Sequence, residues 1–319
     1  MITKKPLVVI AGPTAVGKTK LSIQLAKAID GEIISADSMQ VYKGCDIGSA
    51  KITTDEMQGI RHHLIDVLDP KDEFNIATFK DMATKAIEDI TSRGKIPIVV
   101  GGTGFYVRAL IYDTDFDSQD GADKEFRTEC EEYANKFGNE ALFERLRAVD
   151  PKSCETIHMN NVKRVIRALE FYETTHSPIS RHNEEMRQNE AAYNFAYFVL
   201  SLDRDILYSR INDRVDQMLD AGLIDEVKRL KESGLDRSFV SMQGLGYKEI
   251  FAYLEGECSI DEALEIIKRD TRHFAKRQFT WYKRERDAIW IDKGKITEAE
   301  ILDFVLNTLA EKQIYLGER

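Results

Sequence analysis

Eight residues near the start of the chain, Gly12-Pro13-Thr14-Ala15-Val16-Gly17-Lys18-Thr19, constrain its fold more than any other segment. They fit G-x-x-x-x-G-K-[ST] and stand between an apolar run, LVVIA, and an amphipathic stretch, KLSIQLAKAI. A strand that feeds a glycine turn and then a helix is the context in which such a turn becomes a phosphate cradle. Successive backbone N–H groups and the helix N-terminus form a positive concavity, Lys18 adds a mobile charge, and the Thr19 hydroxyl is a ligand type for Mg²⁺. The motif commits the chain to phosphate binding and is silent about which phosphate.

The pattern that follows extends this unit into an α/β fold. EIISA at 32–36 reads as a second strand ending at Asp37, and a helical period runs over 76–91. IPIVVGG at 96–102 is a continuous apolar strand of the kind buried on both faces of a parallel sheet. From about 113 to 195 the period changes to charged helical stretches, notably 125–137, 139–148 and 162–174, before FAYFVLSL at 195–202 returns the chain to the sheet. Helices resume from Asp205, AIWID at 288–292 reads as a last strand, and the remainder is helical. The expected architecture is a P-loop NTPase-like parallel-sheet core, residues 1–112 and 196–319, interrupted by a helical insertion, residues 113–195. A length of 319 residues suits this division, since single cores stop growing near roughly 250–300 residues.

Charge and composition narrow the partners. The formal net charge of −10 argues by itself against a nucleic-acid partner, since whole-chain basicity is the usual footprint of such proteins. The chain is polarised, however. Asp113, Asp115, Asp117, Asp120, Asp123, Glu125, Glu129, Glu131 and Glu132 make one stretch acidic, while Lys268, Arg269, Arg272, Lys276, Arg277, Lys283, Arg284 and Arg286 make another basic. No segment approaches the roughly 18 consecutive apolar residues of a membrane span. The start, MITKKPLVVI, enters a strand-like run too early to hold a signal segment, so a cytoplasmic address is expected. Cys45, Cys130, Cys154 and Cys258 form no CxxC pair, which suggests neither a zinc ribbon nor a disulfide framework. Adjacent His62 and His63 would face opposite sides of a strand, one of them buried and structural.

Two further turns belong with the cradle. Asp37 opens DSMQVYKGCDIGSAK, residues 37–51, at the carboxyl end of a parallel strand, where it would face the same crevice. In a small-molecule kinase it would bind Mg²⁺ or take a proton from a hydroxyl; in an alkyl transferase it would take one from a weakly nucleophilic amine. Gly101-Gly102-Thr103-Gly104-Phe105-Tyr106 ends another strand, its glycines letting the backbone approach a ligand and Thr103 offering a short hydroxyl. No hydrophobic run ends in a magnesium-binding Asp followed by a switch-like glycine loop, so motor and GTPase readings lose support. Group transfer from a phosphorylated donor remains.

Seven blocks, GPTAVGKT, DSMQVYKGCDIGSAK, HHLID (62–66), GGTGFYVRAL (101–110), KRVIRALE (163–170), QGLGYKE (243–249) and TRHFAKRQFTWYKR (271–284), are spread along the chain from residue 12 to residue 284. In order and spacing they resemble the bacterial tRNA dimethylallyltransferases. The resemblance implies transfer of a dimethylallyl group from dimethylallyl diphosphate to N6 of the adenine 3′-adjacent to the anticodon, with Mg²⁺ and release of diphosphate. It assigns Asp37 as base, and places Thr103 and Arg127 with Lys18, the loop amides and Mg²⁺ on Thr19 around the leaving group. Arg127 aligns only through a weakly patterned acidic segment. Asp37, Ser38, Met39, Gln40, Thr103 and Arg127 would contact the tRNA at an adenine extruded from its loop. Lys163, Arg164 and Arg167 would meet the anticodon stem-loop from the insertion, with Lys276 and Arg277 from a basic stripe that also includes Arg269, Arg272 and Lys283 beside Trp281. The partners implied are tRNA and dimethylallyl diphosphate, with no membrane, and a monomer is expected.

Departures from the family pattern are local. The usual T-G-K-P-L-S loop reads Thr174-Thr175-His176-Ser177-Pro178-Ile179-Ser180, the common Q-A-I-G-Y-K-E begins Gln243-Gly244-Leu245-Gly246, and Tyr282-Lys283 replaces a frequent Phe-Arg. None removes a charged catalytic group. A small-molecule P-loop kinase, an enzyme prenylating free adenine nucleotides, and an RNA-binding module with a vestigial P-loop share parts of the pattern. A basic helical insertion has no use in the first two, and the third would make Lys18, Thr19 and Asp37 dispensable.

Overall fold

The computed structural model describes residues 4–113 and 124–317. Asp115, Asp117, Asp120 and Asp123 of the acidic stretch lie outside the described residues. Chain order begins with β1 (Pro6–Ala11), α1 (Lys18–Ala28), β2 (Gly31–Ser35), α2 (Thr54–Met57), β3 (His62–His63), α3 (Ile76–Ser92), β4 (Ile96–Gly101) and α4 (Gly104–Ile111). Four helices follow: α5 (Lys124–Phe137), α6 (Asn139–Val149), α7 (Val162–Thr175) and α8 (Ile179–Arg187). The chain then runs through β5 (Asn194–Ser201), α9 (Arg204–Asp220), α10 (Leu223–Glu232), α11 (Tyr247–Leu254), α12 (Ile260–Tyr282), β6 (Ala288–Asp292) and α13 (Glu298–Glu311).

The strands form one six-stranded sheet, every pairing parallel, in the order β3-β2-β4-β1-β5-β6. Central position explains composition. Leu7 to Ala11 of β1 are fully buried because helices cover both faces, so the strand carries no alternation of polar residues. Val8 and Ile10 pack in one cluster with Leu21 and Leu25 of α1 and with Val305 and Leu309 of α13. From β1 the chain winds outward to β2 and β3, returns to β4, and then crosses to β5 on the other side of β1. The carboxyl end of β1 is therefore a topological switch point, where parallel sheets open a crevice for ligands.

Two compact units emerge, one of residues 1–111 and 192–319, the other of residues 112–191. Within the first, the amide of Ala192 donates to the carbonyl of Ile111 at 2.8 Å, so the chain leaves and re-enters the sheet domain at one place. The second unit has its own core, in which Cys130, Leu142, Leu146, Val165 and Leu169 meet from α5, α6 and α7. Buried Asp150 ties the end of α6 to the start of α8, accepting from the amide and hydroxyl of Ser153 at 3.0 and 2.7 Å and from those of Ser180 at 3.0 and 2.6 Å. Burial pushes its pKa up, and these hydrogen bonds more than reverse the effect. Ser180 is the last residue of the loop that departs from the family pattern.

The histidine pair forms β3, only two residues long at the sheet edge, and its two side chains meet different neighbours: His63, 11% exposed, faces buried Glu32, and the partly buried His62 faces Ile33 and Ser35. His62 Nδ1 lies 2.9 Å from the Ile60 carbonyl and His63 Nε2 lies 2.8 Å from Glu32 Oε2.

Candidate active site

The glycine turn after β1 has the conformation its sequence requires. Gly12 and Gly17 adopt φ of 146° and 93°, and a Cβ on Gly12 would stand 2.7 Å from the carbonyl oxygen of Leu200 in β5. Ala15 takes a left-handed φ of 62°, a strain of roughly 1 kcal/mol or more that persists where surrounding structure over-determines it. Lys18 folds over the turn, its Nζ donating to the carbonyls of Gly12 at 3.0 Å and Pro13 at 2.9 Å. Burial lowers its pKa to about 8, Asp37 opposing the shift and Arg214 adding to it. The Thr14 amide donates to Gln278 Oε1 at 3.0 Å.

Gln278 and Tyr282 of α12 also reach the turn after β4. Gln278 Nε2 and the Tyr282 hydroxyl donate to the Gly102 carbonyl at 2.8 and 2.9 Å. One helix thus clamps both turns in register. Thr103 stands at the start of α4, and its hydroxyl has no hydrogen-bond partner among the described residues.

Between these turns and α9, α11 and α12 lies a cleft of about 470 Å³. One end is polar, with Thr14, Lys18, Asp37, Thr103 and Arg214; the wall beyond is apolar, with Phe74, Ile211, Val215, Met218, Ile267 and Phe274. Asp37 Oδ1 accepts from the amides of Met39 at 2.9 Å and Gln40 at 3.4 Å, which fixes the carboxylate across its own turn. Oδ2 accepts no hydrogen bond among the described residues. Burial depresses the pKa of Arg214, against the pull of Glu56 and Asp37. Desolvated cations facing a carboxylate and an apolar wall suit an anionic head on a small hydrocarbon.

Part of the expected site lies here. Thr14, Lys18, Asp37, Ser38, Met39, Thr103 and Arg277 line the cleft. Thr19 and Gln40 instead line a neighbouring hollow of about 40 Å³ with Ser22, Ser35 and His62. The Thr19 hydroxyl has no hydrogen-bond partner among the described residues, and the other polar side chains around it are mostly oxygen donors, a set that fits a hard cation retaining water and phosphate ligands. Glu32, His63 and Asp89 also cluster within metal-ligand distance, but Arg93 already forms ion pairs with Glu32 and Asp89. The Arg93 hydrogen bonds lead the effects that bring the Glu32 pKa down to about 2. That cluster is an ion-pair network with its charge neutralised.

The cations expected for RNA divide into engaged and free. In the 112–191 unit Lys163 and Arg164 are exposed and unpaired among the described residues. Arg127 and Arg167 converge on buried Glu170: Arg127 Nε and Nη2 donate at 2.8 and 2.9 Å and Arg167 Nη1 at 3.0 Å. Burial alone would raise the Glu170 pKa, and the two arginines hold it below the ordinary value. On α12 the uniform basic stripe is corrected. Arg272 donates to Asn212 at 2.6 Å and Arg269 pairs with Asp270 at 2.9 Å, which leaves Lys276, Arg277 and Lys283 exposed. Trp281 lies beneath the Arg108 guanidinium, 4.8 Å from its ring centroid, and is only half-exposed.

Arg214 and Gln278 had not been singled out. Arg214 sits in an ordinary amphipathic helix with no motif around it, and Gln278 lies inside a block read for its charges. Only the tertiary fold brings either to the P-loop.

The parallel sheet, the phosphate cradle at its switch point and the carboxylate-faced apolar cleft define a P-loop group-transfer enzyme. The model of the IPP transferase family matches residues 40–285, and the chain belongs to that family. It is 58% identical over 311 residues to the tRNA dimethylallyltransferase of Lachnoclostridium phytofermentans, covering 97% of this chain and 99% of that one. It is 54% identical to the enzyme of the same name from Acetivibrio thermocellus, over 92% and 94% of the two chains. Among solved structures it resembles the tRNA isopentenylpyrophosphate transferase of Bacillus halodurans, with 46% identity, a TM-score of 0.73 and coverage of 97% and 98%. A eukaryotic dimethylallyltransferase acting on tRNA matches at 31% identity and a TM-score of 0.78, over 97% of this chain and 80% of that one. Among the described residues no helix is long and apolar enough to cross a membrane.

Proposed function

We propose that this chain transfers a dimethylallyl group from dimethylallyl diphosphate to N6 of the adenine 3′-adjacent to the anticodon of a tRNA, releasing diphosphate. The observation that carries this reading is one cleft lined by P-loop residues, two half-buried cations, an apolar wall, and a carboxylate oxygen of Asp37 with no hydrogen-bond partner among the described residues. The diphosphate lies against the loop amides, Lys18 and Arg214, and the five-carbon tail lies along Val215, Ile267 and Phe274. Bound at the Thr19 hydroxyl, Mg²⁺ would supply further neutralisation of the diphosphate oxygens.

The adenine amino group is a weak nucleophile because its lone pair is delocalised into the ring. As N6 bonds to the allylic C1, the C1–O bond breaks and its electron pair goes to the bridging diphosphate oxygen, while the N6 proton passes to Asp37 Oδ2. Lys18, Arg214 and the Thr103 hydroxyl face the charge that grows on the leaving group. Each such preorganised donor contributes on the order of 10²- to 10³-fold in rate. The adenine enters extruded from its loop, which costs less from a single-stranded anticodon loop than from a duplex.

In this reading residues 1–112 and 196–319 are the catalytic core and residues 113–195 the insertion that holds the anticodon stem-loop, the enzyme working as a cytoplasmic monomer. Lys163, Arg164, Lys276 and Arg277 contact phosphates. Glu170 fixes the guanidinium plane of Arg127 and leaves its Nη1 for an RNA oxygen. The test is incubation with radiolabelled dimethylallyl diphosphate, Mg²⁺ and unmodified tRNA, with ATP and AMP as competing donor and acceptor. Label is expected in tRNA; label confined to AMP, or transferred to neither, overturns the proposal.

A further inference from the structure

Glu226, on α10, is 1% exposed and carries no arginine or lysine partner among the described residues. Its charge is met by four hydrogen-bond donors. Oε2 accepts from the amides of Asp46 at 3.0 Å and Ile47 at 2.8 Å, and Oε1 accepts from the amide of Gly48 at 3.0 Å and the hydroxyl of Tyr247 at 2.8 Å. Three successive backbone N–H groups converging on one anion make a nest, here filled by the protein's own carboxylate. The loop it holds is a wall of the cleft, for Gly48, Ser49 and Ala50 line it directly.

The hold extends to the base. Gln40 Nε2 donates to the carbonyls of Ser49 at 3.4 Å and Ala50 at 3.3 Å, and the Gln40 amide donates to Asp37 Oδ1 at 3.4 Å. Gly48 has no room for a side chain, since a Cβ there would stand 2.6 Å from the Tyr247 ring. The 37–51 loop is thus pressed against α11 and pinned to α10. Neither Glu226 nor Tyr247 touches the P-loop or Thr103 by any of these bonds.

We propose that Glu226 is a positioning residue for the acceptor. It fixes the Gly48 to Ala50 wall against which the adenine is received and, through Gln40, the setting of Asp37. This rests on the function given above and assigns Glu226 to the acceptor half of the cleft alone.

The test uses the full-length protein carrying Glu226→Gln. The carboxamide has the same size but turns an N–H₂ toward backbone N–H donors. Charge-assisted bonds of this kind correspond to about 10- to 100-fold in an equilibrium or rate constant. The expected result is a loss of that order in kcat/KM for an anticodon stem-loop, with KM for dimethylallyl diphosphate and the calorimetric Kd for inorganic diphosphate with Mg²⁺ unchanged within about twofold. Tyr247→Phe removes one donor of four without removing the ring, and is expected to move the same parameter a few-fold; it carries the test if Glu226→Gln does not fold. Equal losses on the donor and acceptor sides, or stem-loop kinetics indistinguishable from wild type in both variants, overturn the proposal alone. Wild-type enzyme that binds diphosphate but moves no label into tRNA overturns the function and this proposal with it.

Discussion

Replacing Lys18 with methionine is expected to stabilise the empty fold at neutral pH while destroying its grip on diphosphate. The ammonium is buried and titrates near about 8 instead of 10.5, so keeping it charged at pH 7 costs the folded protein roughly 3 kcal/mol. Methionine keeps the aliphatic stem and removes that cost. It leaves the Gly12 and Pro13 carbonyls without their donor, which returns about 1 kcal/mol each. The net gain is about 1 kcal/mol. Its pH dependence is the sharper signature. Between about pH 8 and 10.5 the unfolded chain binds more protons at Lys18 than the folded one, so wild-type stability rises with pH by up to ~1.4 kcal/mol per pH unit from this group. The variant lacks that increment, and its advantage at pH 7 reverses by about pH 10. Urea unfolding at constant ionic strength, followed by tryptophan fluorescence, reads this out, because Trp281 and Trp290 both lie in the sheet domain. Other lysines and tyrosines titrate in both proteins and cancel in the difference. A stability difference that stays flat from pH 7 to 10 refutes the reasoning.

Two further outcomes follow from the cleft. Asp37→Asn is expected to lower turnover by about 10²- to 10⁴-fold, the range for general-base assistance, with diphosphate affinity largely intact; parallel losses in both would remove Asp37 from the role of base. Affinity for tRNA is expected to fall steeply between about 50 and 200 mM salt, and affinity for diphosphate much less, as counterion release from phosphates by Lys163, Arg164, Lys276 and Arg277 requires. Equal salt slopes would count against those contacts.

What was readable from the chain is what each segment declares locally. The P-loop, Asp37 and the Thr103 turn each follow an apolar run that ends in glycine or a short polar residue, so strand, turn and chemistry are adjacent in sequence. The partners that set their geometry carry no such mark. Gln278 meets Thr14 across 264 positions, and Glu226 meets Asp46 across 180. A glutamine or glutamate inside an amphipathic helix reads as a solvated residue until the fold buries it. Periodicity was equally blind to occupancy. It placed Arg269 and Arg272 on a basic stripe, but Arg269 pairs with Asp270 at 2.9 Å and Arg272 donates to Asn212 of α9 at 2.6 Å. The histidine pair was legible by alternation, since His63 turns to Glu32 and His62 to other partners, but the sequence did not name those partners.

The parallel register that seats β1 beside β5 pairs Pro6 with Asn194 and Ala11 with Val199. A ribosome adding about 5 to 20 residues per second therefore leaves one edge of the central strand open for about 10 to 40 s after β1 emerges. During that interval residues 112–191 are complete and own a separate core, so they are free to fold first. Chains truncated before Asn194 and released are then expected to show a protease-resistant 124–187 segment beside a sensitive amino-terminal half; uniform resistance would show that the sheet does not wait. The phosphate cradle shares that delay, because Gly12 packs against Leu200 and the Thr14 amide waits for Gln278. An anion-binding turn is thus withheld from the nascent chain until the residues that discipline it have been made.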